Sequence, residues 1–539
     1  MAKRVAVIGA GASGLAAIKC CLDEGLKPTC FERSDDIGGL WKYTEKVEDG
    51  RGSIYKSVIT NTSKEMMSYS DFPFPDHFPN FLSHTKVLEY HRIYAEHFDL
   101  LRHIKFKSGH KCKKCPDFTT TGQWDIVTET EGKQETAIFD AVLVCNGHFV
   151  EPYLPLDSFP GLEKFKGRWF HSREYKTPDG FQGKKVIILG MGNSAADLAT
   201  ELSHTASQVF LSTRRGVWVL NRIFGYGYPW DIVFSTRLKN WFRNCLPSAI
   251  AQWMKARSFN QWFNHANYGL ETEEGAQWKE PIANEALPSR IICGAVSVKT
   301  SVREFTKTSA IFDDGTIEED IDVVILATGY SISFPFLEDS VIKVVNNKVS
   351  LYKSIFPTAL EKPTLAVIGL VLPIAGLMPT AEIQARWATR VIKGLKKLPS
   401  LNEMMEDIKK KNKILIKRFG MNRACTLLVD YIEYMDEIAS EIGVKPNIPL
   451  LFLTDPKLAL EVCVGPCTPY QFRLTGPGKW DGARTTILTK WDRILKPTRT
   501  RVAKKMPRSS SSALLVVFLC FIILISFLSM FSYFREPDL

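Results

Sequence analysis

An α/β protein with two parallel-sheet units, the second inserted into the first, plus a mostly helical insertion and a C-terminal transmembrane helix, is predicted by three observations. The chain of 539 residues opens on an apolar strand and a glycine turn, repeats that pattern near Lys185, and ends on a long uncharged apolar run. At this length two or three cores are expected rather than one.

In the first unit, Val5-Ala6-Val7-Ile8 has the character of a buried parallel strand, and Gly9-Ala10-Gly11-Ala12-Ser13-Gly14 follows it directly. Gly9 lets the chain turn, Gly11 lets the backbone approach a pyrophosphate at the N-terminus of the next helix, and Gly14 lets that helix pack closely on the strand. Glu32 ends a second apolar stretch about twenty residues on, where a carboxylate accepts hydrogen bonds from ribose hydroxyls. Together these features describe a Rossmann-like dinucleotide site. Gly38 and Gly39 let the backbone come near whatever lies over it, and Leu40-Trp41 follow, Trp41 with a flat apolar surface. Ser57 to Ser63 sets small polar side chains, Thr60, Asn61 and Thr62 among them, after an apolar segment. Asn61 is either a hydrogen-bonding group in an apolar pocket or a turn asparagine. Tyr69 to Pro75 has the composition of an ordered loop. Ala137 to Gly147 is expected to be one strand ending in a glycine turn, and Pro152, Pro155 and Pro160 mark a linker.

The same grammar recurs in Lys185-Val186-Ile187-Ile188-Leu189 and Gly190-Met191-Gly192-Asn193-Ser194-Ala195, with Ala196 and Asp197 carrying the helix on. Ala195 stands at the third glycine position and is still small enough for close packing. The next strand, Gln208 to Thr213, ends in Arg214-Arg215 where the first unit has Glu32. A carboxylate repels the 2′-phosphate of NADP, whereas arginine pairs with it bidentately. The first site is therefore expected to take FAD and the second NADPH, with Arg214 and Arg222 the candidates for the 2′-phosphate. Residues 216–295 are rich in tryptophan, tyrosine and basic residues, and are expected to form a helical insertion that covers the site or touches a membrane. Ile321 to Tyr330 returns to the second unit. Pro363 to Leu370 as a strand and Ala381 to Lys397 as a helix complete the first. The predicted division is 1–154 and 331–443 for the FAD-binding domain, 155–215 and 296–330 for the NADPH-binding domain, 216–295 for the insertion, 444–511 for a membrane-proximal region and 512–534 for an anchor.

The net charge of +11 gathers in Lys490, Arg493, Lys496, Arg499, Arg501, Lys504, Lys505 and Arg508, just before the uncharged run from Ala513 to Phe534. That run is long enough to cross a hydrocarbon core of about 30 Å and has no polar face. The placement of the charge favours a membrane surface over nucleic acid. Basic residues on the N-terminal side of the span keep the body in the cytosol. Met1-Ala2-Lys3-Arg4 leads into a strand with no signal-peptide hydrophobic region, so a tail anchor is expected. Twelve cysteines in a cytosol-facing chain imply reduced thiols. The lone Cys112-x-x-Cys115 lacks a second ligand pair, and no metal site is expected.

Taken together, these stretches resemble the vertebrate microsomal flavin-containing monooxygenases, the N-oxide-forming dimethylaniline monooxygenase family, over nearly the whole chain. Phe165 to Lys176 fits that family's F-x-G-x-x-x-H-x-x-x-(Y/F) signature. It closes with Tyr175-Lys176 rather than the Trp-Pro of the related Baeyer–Villiger monooxygenases. Phe31 to Trp41, Thr60 to Met67, Tyr228 to Asp231 and Gln471 to Trp480 also look like family segments. The resemblance implies that NADPH reduces FAD, that dioxygen is captured as a hydroperoxyflavin, and that one oxygen passes to a soft nucleophilic nitrogen or sulfur in xenobiotics. It implies that Asn61 and Asn193 are the catalytic residues, holding nicotinamide and flavin edges, and that His171 is an interdomain or hydrogen-bonding residue in a linker. It also implies an endoplasmic reticulum membrane location, with contact to lipid through the C-terminal helix and none to nucleic acid. Self-association is left open. Asn146 departs from the Ser or Thr usual there, and the rival readings are an uncoupled NADPH oxidase releasing peroxide and a Baeyer–Villiger ketone oxygenase.

Overall fold

Two five-stranded parallel sheets organise the computed structural model, which describes residues 2–130, 132–272, 281–419 and 427–501. In the first, β1 (Arg4–Ile8) leads through a glycine turn into α1 (Ala12–Asp23) and back to β2 (Lys27–Phe31). The loops that follow carry the short α2 (Lys64–Met67), and the sheet is extended by β3 (Ile104–Lys105) and β4 (Ala141–Val144). Parallel strands buried on both faces are near-continuously apolar, as Val5 to Ile8 and Ala141 to Val144 are. Val5, Val7 and Leu143 pack on the α1 side of the sheet. Ala6, Ile8, Val142 and Val144 pack on the other, against Trp124, Ile126 and Phe139.

That second face is covered by an antiparallel sheet of Gly109–Lys114, Trp124–Thr130 and Lys133–Phe139. The expected single strand from Ala137 to Gly147 is therefore two strands in two sheets. The break falls at Asp140, whose Oδ2 accepts from Arg4 N–H at 2.7 Å while its own N–H donates to Arg4 O. Apolar character alone does not register a change of sheet; the acid in mid-run is its only trace.

The second sheet holds β5 (Arg168–His171), β6 (Lys185–Leu189), then α3 (Asn193–Leu202), β7 (Gln208–Ser212), β8 (Val296–Lys299) and β9 (Val323–Leu326), in the order β8-β7-β6-β9-β5. Val186 and Ile188 face α3, whereas Ile187 and Leu189 face Phe165, Phe305 and Phe312. The signature segment, expected in a linker, is thus the edge strand β5 and its flanks. Its residues 168–171 pair with β9, because Trp169 and Phe170 extend the apolar ladder.

Between β7 and β8 lie α4 (Arg237–Cys245), α5 (Ser248–Phe259) and a two-stranded parallel ladder, Val219–Leu220 with Ile282–Ala283. After the second sheet, β10 (Leu365–Val367) pairs with β4, giving the first sheet the order β10-β4-β1-β2-β3. The chain crosses between sheets twice at one place, where Glu151–Pro152 pairs antiparallel with Tyr330–Ser331. α6 (Leu377–Lys393) packs on α1 and begins four residues before the expected Ala381. Pro379 lies in its first turn, where the missing N–H costs nothing. It ends at Gly394, with φ of +88°, short of the expected Lys397.

A buried charge cluster ties α6 to the aromatic loop and the C-terminal region. Arg473 pairs with Glu382 at 2.7 Å and Asp71 at 2.9 Å, and Lys19 with Asp71 at 2.7 Å. These elements belong to one compact body, Met1–Pro497, and the remaining unit is described only to residue 501. The expected anchor at 512–534 lies outside the described residues. Among the described residues, no helix is long and apolar enough to cross a membrane.

Candidate functional site

Each sheet presents its glycine turn at the C-terminal end of its central strand, beside the point where strand order reverses, which is where α/β sheets bind ligands. Gly9 has φ of +100° and Gly190 φ of +124°. A Cβ on Gly14 would stand 1.9 Å from Gly9 O, so only glycine lets α1 close on the strand. Ala195 and Ala196 are fully buried, the small helix face that the second turn requires. Gly11 and Gly192 precede the first helical residues of α1 and α3, leaving the opening N–H groups of both helices available to an anion.

Glu32 stands one residue past β2. Its Oε2 accepts from Ala10 N–H at 2.7 Å and its Oε1 from Ser34 N–H at 2.8 Å, which fixes the carboxylate against the glycine turn. Gly38 N–H donates to Ala10 O, and a Cβ on Gly39 would meet Gly11 Cα at 3.0 Å, so the Gly39-Leu40-Trp41 turn lies directly over the first loop. Ser13 Oγ lies beside Gly369, at the turn after β10. Nearby, burial pushes His148 down to about 4, and its Nε2 is enclosed without a protein partner. Asn146 donates from Nδ2 to Ser333 O at 3.3 Å, so the larger amide found here is held by the loop after β9.

Arg214, two residues past β7, is exposed and forms no ion pair among the described residues. Arg222 has a different setting from the one its pairing with Arg214 anticipates. It is buried, with Nη1 on Glu285 Oε2 at 2.8 Å, Nη2 on Asn61 Oδ1 at 2.7 Å and Nε on Thr60 O at 3.2 Å. Asp197 is likewise engaged by protein, accepting from Tyr55 O–H at 2.5 Å and Asn284 Nδ2 at 2.8 Å, and burial raises its pKa.

The loop Thr60-Asn61-Thr62-Ser63 is gripped by the insertion. Trp230 Nε1 donates to Asn61 O at 3.0 Å, and Ser63 N–H to Asp231 Oδ2 at 2.7 Å. Asp231 is fully buried, which raises its carboxyl to about 6 against the opposing effect of those N–H donors. Thr60 Oγ1 accepts from Leu82 N–H, and Lys64, just beyond the loop, donates to Asp76 O and Phe78 O at 2.8 Å. On the second unit, Asn193 Oδ1 accepts from Ala283 N–H at 3.1 Å. Ser194 stays half-buried beside it. The sequence does not mark Tyr55, Trp230, Asp231, Asn284 or Glu285 as site residues. The only signal for any of them was the family-like run Tyr228 to Asp231.

His171 is buried, with Nδ1 accepting from Arg173 N–H at 3.2 Å and Nε2 facing Gly329 O at 2.9 Å. The Nε2 atom therefore carries the hydrogen, and burial pushes the ring down to about 4. His171 anchors the strand-end loops rather than acting as a base.

Two glycine-turned nucleotide cradles, followed by strands that end in opposite charge and each accompanied by an asparagine bonded to the insertion, define a two-nucleotide oxidoreductase. Residues 2–532 match the model of the family described as FMO-like, flavin-binding monooxygenase-like, and the chain belongs to that family. It is 58% identical over 518 residues to dimethylaniline monooxygenase [N-oxide-forming] 2 of Macaca mulatta, covering 96% of this chain and 97% of that protein. It is also 58% identical to flavin-containing monooxygenase 5 of Rattus norvegicus, over 98% of both. Among solved structures, S-allyl-L-cysteine S-oxygenase of Allium sativum matches with a TM-score of 0.63 at 24% identity, over 92% of this chain and 99% of that one. Cyclohexanone monooxygenase in a cyclohexanone-bound form matches with a TM-score of 0.58 at 16% identity, over 82% of this chain and 98% of that one. These two likenesses show the shared fold. The protein is a flavin-dependent monooxygenase that uses FAD and NADPH.

Proposed function

We propose that the first unit holds FAD, with its pyrophosphate on the opening N–H groups of α1 and a ribose on Glu32, and that the second holds NADPH with Arg214 at the 2′-phosphate. The FAD-binding domain on this reading is 1–154 with 331–443, and the NADPH-binding domain 155–215 with 296–330. The observation that carries it is the pair of positive-φ glycine turns whose next strands end in Glu32 and in Arg214. The cradles fit the groups. Nothing lies within 4 Å of where a Cβ on Gly192 would stand, and Gly11 faces only the backbone of Gly39.

When bound, the two groups supply the reducing electrons and the activation of dioxygen, so no nucleophilic side chain is needed. The protein's part is to orient the rings and keep water away from them. Asn61 and Asn193 hold cofactor edges, Trp41 and the Gly38-Gly39 turn close over the first loop, and Arg222 belongs to the support of Asn61. The substrates are small molecules with a soft nucleophilic nitrogen or sulfur, and the N-oxide-forming activity in the names of its relatives supports the nitrogen part of this reading.

The body faces the cytosol and is held at the endoplasmic reticulum by the run from Ala513 to Phe534. The exposed Trp241 and Phe242 on α4, and Trp253 and Met254 on α5, support a face that meets lipid, as do the exposed Leu450, Phe452 and Leu453, whose helix packs on the one (Pro456–Cys463) that touches α4. The test is to supply NADPH, dioxygen and dimethylaniline to the FAD-loaded protein and count products. N-oxide formed in proportion to NADPH consumed is expected. Peroxide at constant yield without N-oxide would instead make the protein an NADPH oxidase, and lactone from a simple ketone would make it a Baeyer–Villiger oxygenase.

A further inference from the structure

We propose that the inserted segment sets both asparagines as hydrogen-bond donors, with Arg222 the positioning residue for Asn61 and the Ala283 N–H doing the same for Asn193. The inference rests on the reading of these asparagines as cofactor-facing groups. A carboxamide can turn about its last torsion and offer a neighbour either its oxygen or its NH2 group. A partner that can only donate removes that choice. The Arg222 guanidinium has no acceptor, and neither has a backbone N–H, so Asn61 Oδ1 and Asn193 Oδ1 are both turned toward the protein. The two Nδ2 groups donate to nothing among the described residues and point the other way.

Both orienting groups come from one small element. Val219–Leu220 pairs with Ile282–Ala283, and Asn284 N–H extends the ladder to Leu220 O at 3.0 Å. Arg222 follows the first strand and Glu285 the second, and their ion pair closes the element at its end. Arg222 is fixed from behind as well, since its carbonyl accepts from Trp230 N–H at 3.0 Å. Two preorganised NH2 groups suit an electron-rich oxygen or a ring carbonyl, and they offer nothing to a group that must donate. The electrostatic character of the site is thus set by a segment outside both sheets.

The test compares Asn61→Asp with Asn61→Ala, and Arg222→Met with Arg222→Lys, in the full FAD-loaded chain. Aspartate accepts from Arg222 as asparagine does but donates nothing. Asn61→Asp is therefore expected to keep its flavin content and melting temperature while losing about 100-fold in product formation. Its flavin difference spectrum on adding NADP+ should also be lost, and peroxide should replace product. Arg222→Met is expected to move the NADP+ difference spectrum and the peroxide fraction in the same direction, and Arg222→Lys, again a donor-only cation, to restore most of both. Combining Arg222→Met with Asn61→Asp should add nothing further.

An Asn61→Asp enzyme with a normal difference spectrum and normal coupling would overturn the donor assignment, provided Asn61→Ala is impaired. If Asn61→Ala is normal too, the placement of Asn61 against the cofactor fails with it. Should Asn61→Asp not retain flavin, the Arg222 pair decides alone: equal peroxide fractions in Met and Lys variants would refute the positioning role.

Discussion

Gly14 shows how far a single residue is determined by backbone contact. With Gly9 O only 1.9 Å from where its Cβ would be, Gly14→Ala forces α1 away from β1 and is expected to cost about 3 kcal/mol. Thermal unfolding together with flavin content per chain checks this. Arg214 is the opposite case, exposed and committed to no ion pair among the described residues. Arg214→Ser is expected to lose about 2 kcal/mol of charge-assisted binding, raising KM for NADPH roughly 30-fold while leaving KM for NADH unchanged. His171 is held neutral with its pKa near 4, below its ordinary 6.5. As pH falls through that window the unfolded chain takes up a proton that the folded chain refuses, so the stability present above 6.5 is lost toward 4. His171→Gln should flatten that part of a urea-midpoint profile measured from neutral to acid pH. Glycines and strand-end charges were legible because their roles follow from local backbone rules. The partner of Asn61 was not, because Arg222 lies 161 residues along the chain and nothing local records their meeting.

At the scale of elements, apolar runs gave most of the strands, and the misreadings came where an element changed partners. Ala137 to Gly147 is uniformly strand-like, yet Asp140 passes it from one sheet to another. Pro152, Pro155 and Pro160 mark the approach to the signature segment as a linker, although Trp169 and Phe170 pair with β9 as an edge strand. α6 hid its first turn behind Pro379. What fastens α6 was equally hidden, since a buried arginine draws its partners from two distant segments. Arg473 is 2% exposed and bridges Glu382, Asp71 and Ser70, so Arg473→Met leaves Glu382 buried without its counter-charge and Asp71 with Lys19 alone. The expected loss is about 3 to 5 kcal/mol, read from the denaturation midpoint. Because the cluster also fixes the loop that begins at Tyr69, the same variant should become sensitive to protease there.

For the whole molecule, the repeated strand-and-turn grammar announced two nucleotide units, and the return of the chain to the first sheet was anticipated from the strand at Pro363 to Leu370. The order of strands was not written locally, since register depends on which apolar edges meet. β4 carries β10 on its far side, contributed from more than two hundred residues later. Residues 1–154 expressed alone would expose that edge of β4 and the α1 face that α6 covers. They are expected to be insoluble or unfolded by circular dichroism, and to acquire flavin only with the later segment present.

Where Glu151–Pro152 runs beside Tyr330–Ser331, the outward and homeward paths share a doorway. An excursion whose ends touch can be lengthened, exchanged or deleted by recombination while its host stays as it was. The residues between those two short strands are thus a cassette in the genetic sense. The second glycine turn with Arg214 and the aromatic surface of α4 and α5 travel inside it together, so descent could alter both at one stroke while the first sheet kept its own glycine turn intact.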